Sequence, residues 1–81
     1  MKTQYQVLFF THTGAIKFDR KMKAEKISCE LMPVPRTLSS NCGVSARILL
    51  DGDVNRLIDD QIETIFQNNN DEYTLIYNGT K

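Results

Sequence analysis

The residues best suited to covalent chemistry lie in Pro35-Arg36-Thr37-Leu38-Ser39-Ser40-Asn41-Cys42-Gly43. A structural cysteine usually hides among apolar neighbours, where its thiol behaves as a small hydrophobe. Cys42 instead ends a polar, hydroxyl-rich stretch, which would let its sulfur meet solvent and a partner. The nucleophile is the thiolate, favoured by a positive neighbour or by backbone N–H groups at a helix start. Arg36 in the same stretch, His12, the single histidine, and the N-terminus of the first helix are the candidates to supply that field. Ser39, Ser40 and Asn41 offer neutral donors around a bound anion or an S–S or S–Se adduct. Gly43 allows close approach of the backbone or a positive φ beside the sulfur.

Each of these residues also has an ordinary reading. Ser-Ser-Asn-Cys-Gly is good turn chemistry with or without a reactive thiol. A histidine before a helix often caps it or faces water, and Arg36 can pair with a surface carboxylate such as Asp71. Cys29, the second cysteine, starts an apolar segment and reads as a core thiol. About five residues at roughly 3.3 Å rise separate the two cysteines by some 15 Å. A disulfide needs Cα atoms within about 7 Å, so an internal bridge is not expected. No metal site is expected either, because Cys42 and His12 supply fewer than the usual three or four ligands. No Ser/His/Asp arrangement can be built, so a hydrolase is unsupported. No cofactor is implied.

The elements that must position these residues belong to one small domain of 81 residues. Ten Lys and Arg balance ten Asp and Glu. Zero net charge argues against an electrostatic hold on nucleic acid or an anionic membrane. No apolar run approaches ~18 residues and no signal peptide opens the chain, so a soluble, cytoplasmic protein with thiols rather than disulfides is expected.

Tyr5 to Thr11 reads as a strand, and Thr13 as the N-cap of a helix over about Gly14 to Lys26. In that helix Ala15, Phe18 and Met22 form a thin apolar stripe beside a charged face of Lys17, Asp19, Arg20, Lys21 and Lys23. Cys29 to Val34 and Val44 to Leu50 read as two further strands, the first marked as an edge by Pro33 and Pro35. Asp53 reads as the N-cap of a second helix reaching about Gln67. Its Val54, Leu57, Ile58, Ile62, Ile65 and Phe66 fit i, i+3, i+4 spacing. Asn68 to Asp71 is a loop and Tyr73 to Tyr77 a last strand.

This βαββαβ order predicts an α+β ferredoxin-like sandwich, with two helices on one face of a four-stranded antiparallel sheet of order 4-1-3-2. Three connections then gather at one end of the sheet: Thr11–Gly14, the hairpin loop with Arg36 and Cys42, and Asn68–Asp71. His12 and Cys42 should share that end.

The motif set resembles a family of small, mostly bacterial selenium/sulfur (Se/S) carrier protein-like domains. The resemblance rests on Thr11-His12-Thr13, the helix from Ala15, Leu31 to Arg36, Ser39-Ser40-Asn41-Cys42-Gly43 and Ser45-Ala46-Arg47. It spans about residues 5 to 50 and is most specific at Pro35–Gly43. It implies that Cys42 carries a persulfide or selenopersulfide, taken from a cysteine desulfurase-like donor and passed to an acceptor protein. The chain would then be a carrier rather than a turnover enzyme.

The competing reading is a non-catalytic interaction module. Phe9 and Phe10 point to opposite faces of the first strand. Met32 and Leu49 could extend an apolar patch on the helix-free face, and a homodimer would use that patch. Single-stranded nucleic-acid binding is disfavoured because Val44 to Leu50 contains no aromatic residue to stack a base.

Overall fold

The computed structural model describes residues 2–38, 43–70 and 72–79. The described elements run β1 (Thr3–Phe9), α1 (His12–Ala24), β2 (Ser28–Pro33) and β3 (Val44–Leu50), then a one-turn 3-10 helix (Val54–Leu57), β4 (Ile62–Asn69) and β5 (Glu72–Asn78). All strand pairs are antiparallel, and the sheet order is β2-β3-β1-β4-β5. Among the described residues no helix is long and apolar enough to cross a membrane.

β1 is the centre of the sheet because both of its faces are buried. Tyr5, Val7 and Phe9 join the main core, and Gln6 and Leu8 are buried on the opposite face. α1 covers the first face with Ala15, Phe18 and Met22, and the Phe18 ring lies 5.2 Å from that of Phe9. The helix begins earlier than the sequence suggests. Thr11, not Thr13, is its N-cap, its Oγ1 accepting the Gly14 N–H at 3.0 Å. The side-chain oxygen thereby satisfies a donor that the helix leaves open. His12 is therefore the first helical residue rather than part of a turn. At the other end Lys26 takes φ +60°, and the Ile27 N–H closes on the Met22 carbonyl at 2.8 Å. This ends the helix without the usual glycine.

The expected sandwich with four strands and two helices is overturned. The segment expected to be a second helix forms only the 3-10 turn and then a fifth strand, β4. Asp53 does cap, accepting the Asn55 N–H at 2.9 Å, but the helical turn stops at Leu57. The misleading signal has a physical origin. β4 pairs Thr64 with Leu8 but Ile62 with Phe9, so Glu63 is an extra residue on this strand. Such a bulge shifts the alternation of faces by one. Ile62 and Ile65, three apart, both reach the core, which copies a helical repeat in extended backbone. β-branched Ile62, Thr64 and Ile65 with aromatic Phe66 favour that extended form. Val54 and Leu57 are buried in the same core, so the crossover from β3 to β4 lies beside α1 on the helical face.

The last strand also pairs differently. β5 forms a hairpin with β4 and is the far edge of the sheet, instead of lying next to β1. Asn70, at φ +53°, begins the turn. Because Gln4 pairs with Asn68, this turn sits at the Thr3 end of β1, opposite His12. The expectation that Asn68–Asp71 shares an end with His12 is thus corrected.

The helix-free face is not open at its centre. Gln6 Nε2 donates to Ser45 Oγ at 2.6 Å, and the Ser45 hydroxyl points to the Met32 and Pro33 carbonyls at 3.3 and 3.4 Å. Gln6, Leu8 and Ser45 are all buried. Thr37 and Leu38 line a cavity with Phe66, Glu72 and Tyr73, so the chain beyond β2 passes across this face toward β4 and β5. Met32 is half-buried and Leu49 exposed. The apolar centre of the surface expected to pair two copies is therefore covered within one chain.

Candidate functional site

α1 packs against β2, and this seam has two unlike ends. At the N-terminal end of α1 the seam opens into an apolar cavity of about 370 Å³. His12 and Ile16 line it from the helix, Leu31, Met32 and Pro33 from β2, and Gly43 and Val44 from the start of β3. One turn of helix separates His12 from Ile16, so both face the same side. Ile16 is 47 % exposed and Leu31 36 %, so the apolar lining continues to the surface. The wall opposite His12 is where the hairpin loop returns: Val34 N–H donates to Gly43 C=O at 3.3 Å. Gly43 has φ +76°, the left-handed conformation that only glycine adopts without cost. Gly43 and His12 thus meet on one cavity, through the antiparallel pairing of β1 with β3.

Cys42, Ser39, Ser40 and Asn41 lie outside the described residues, as does Asp71, the carboxylate considered for Arg36. Arg36 is exposed and does not line the cavity with His12 and Gly43. The structure therefore joins His12 with Gly43 on one cavity, and Arg36 is not among the residues that line it.

At the other end of the seam the Cys29 thiol is half-buried beneath α1. Its pKa is pushed up to about 12, first by loss of water and then by the neighbouring Asp19 carboxylate. Burial and a neighbouring anion both disfavour a thiolate. Asp19 Oδ2 accepts from Lys23 Nζ at 2.8 Å, and this contact is the main reason the Asp19 carboxyl is held below its ordinary range. Asp19 Oδ1 is buried and accepts no hydrogen bond among the described residues. The same pair holds the Lys23 ammonium above its ordinary range. Cys29 is accordingly held as the neutral thiol, with the Asp19 carboxylate as its lock. The core position was readable from its place at the start of a strand. The lock was not, because Asp19 and Lys23 read as solvated charges on the helix surface.

Among the described residues no group of His, Cys, Asp and Glu could hold a metal ion. Sequence reasoning also missed Ile16, Leu31 and Val44 as cavity walls. The available signal was Ile16 itself, an isoleucine outside the apolar stripe of a charged helix and one turn from His12.

No curated protein and no solved structure matches the chain. A family model does match, over residues 4–78, which includes the whole sheet apart from its first residue, α1 and the loop with Cys42. The chain belongs to the family described as "Putative Se/S carrier protein-like".

Proposed function

We propose that this domain is a sulfur or selenium carrier in which Cys42 holds the cargo as a persulfide or selenopersulfide. The observation that carries the reading is the meeting of His12 and Gly43, the residue after Cys42, on one surface cavity. Family membership over residues 4–78 supports it. So does Cys29, whose carboxylate lock makes it a poor rival for the cargo.

The transfer is thiol–disulfide exchange with one extra sulfur. The Cys42 thiolate attacks the outer sulfur of a donor persulfide, R–S–SH. A new S–S bond forms, the donor's S–S bond breaks, and the donor leaves as a thiolate. No net oxidation occurs. The acceptor thiolate repeats the step on loaded Cys42. In this reading Arg36 and His12 favour the Cys42 thiolate, and Ser39, Ser40 and Asn41 hydrogen-bond the adduct. The donor is a cysteine desulfurase-like protein and the acceptor a second protein.

Incubation with a cysteine desulfurase and cysteine, followed by intact-mass spectrometry, tests this. The wild-type chain should gain the mass of one sulfur atom, and Cys42→Ala should not. Equal gain by that variant would end the proposal.

A further inference from the structure

Zero net charge hides a polar distribution. From His12 to Lys26 there are five basic residues against two acidic ones, and from Asp51 to Glu63 five acidic residues against Arg56. On α1, Lys17, Arg20 and Lys21 are exposed and form no ion pair among the described residues. Arg20 follows Ile16 by one helical turn, so His12, Ile16 and Arg20 form a row along one side of the helix. The apolar cavity thus opens beside an uncompensated basic flank.

We propose that this groove, between the N-terminal half of α1 and the β2–β3 hairpin, docks a partner-protein segment that presents one bulky apolar side chain flanked by carboxylates. The apolar side chain enters between Ile16, Leu31 and Val44, where it removes exposed aliphatic surface from water. The carboxylates meet Lys17, Arg20 and Lys21, which steer encounter and set orientation. A second copy of this chain is a poorer occupant, because a twofold contact would set the basic flank against itself. Why such a partner would come rests on the carrier reading: the groove ends at Gly43, beside the proposed cargo cysteine. The fit of the groove does not depend on it.

The test uses the full chain, 15N-labelled, titrated with the peptide acetyl-Glu-Asp-Leu-Phe-Asp-Glu-amide. Amide shifts should cluster at Ile16, Leu31 and Val44, and the affinity should fall as salt rises. Replacing Leu-Phe by Ser-Ser, or every acid by lysine, should abolish binding. Ile16→Asp and Arg20→Glu, both at exposed positions, should each weaken binding by about tenfold or more while leaving the remaining spectrum unchanged. Cys42→Ala should bind as wild type does. Failure of sulfur transfer would leave this result standing, and failure of peptide binding would leave sulfur transfer standing. Shifts centred on Leu75 and Ile76 of β5, equal binding of the lysine peptide, or the same groove shifts on concentrating the chain alone would each overturn the proposal. The last outcome would assign the groove to a second copy.

Discussion

The two ends of the α1–β2 seam are built from the same two elements and behave oppositely. Near Cys29 the helix offers Asp19 and Lys23, whose ion pair closes over the thiol. Near Gly43 it offers His12 and Ile16, and the seam gapes into a cavity. The difference teaches that the surroundings of each end follow from which helical turn faces which strand residue. Both cysteines belong to one small chain. Cys29 stands beside a carboxylate that opposes its ionisation.

The comparison depends on α1 lying flat on the sheet, and the largest effect should come from lifting it. Met22 is fully buried in the core beneath the helix. Met22→Ala should cost about 2–5 kcal/mol in urea unfolding and expose Cys29 to alkylation. A cost near zero, with Cys29 still unreactive, would show that the helix does not seal that end. The next effect belongs to the open end. At Gly43, with φ +76° and nothing nearby for a side chain to strike, the cost of Gly43→Ala is backbone strain alone, about 1–2 kcal/mol. Wild-type stability of that variant would remove the left-handed turn from the site.

The smallest effect sharpens the closed end through pH. The Cys29 thiol titrates near 9 when unfolded and is pushed up to about 12 in the fold. The unfolded chain therefore loses this proton first as pH rises. The resulting stability is fully present below about pH 9 and is lost progressively as pH climbs toward 12. Cys29→Ser should flatten the alkaline decline, measured as urea midpoints from pH 8.5 to about 10.5. An unchanged slope would mean that the thiol is not held neutral. Asp19 works at the acid end with the opposite sign. Its carboxyl is lowered in the fold, so its contribution is present above the unfolded value of 3.8 and fades as pH falls through the folded value.

Much of the first half of the chain was legible. β1, α1, β2 and β3 lie near their expected places because Tyr5 to Phe9 is rich in strand formers, and Ala15, Phe18 and Met22 keep one helical face. The shift of the N-cap from Thr13 to Thr11 was not legible, since either hydroxyl could serve and the fold uses Thr11. In the second half, Val54, Leu57, Ile62 and Ile65 are core residues as their spacing suggested, but in a 3-10 turn and a bulged strand. For the site, the approach of His12 to the hairpin was legible from the pairing of β1 with β3. The cavity walls Ile16, Leu31 and Val44 were not.

By itself the sequence determined which residues are apolar, where the chain must turn, and that Cys42 stands in a polar stretch ending in glycine. Those properties are local, written in side-chain type and nearest neighbours. Only the tertiary structure decided that Asp53 to Asn69 would turn once and then extend, because period-three spacing suits a helix and a bulged strand alike. Free space beside β1 settled the choice, since its unpaired backbone edge and buried faces are satisfied by β4. The same assembly set Asp19 beside Cys29, a pairing that no local pattern links.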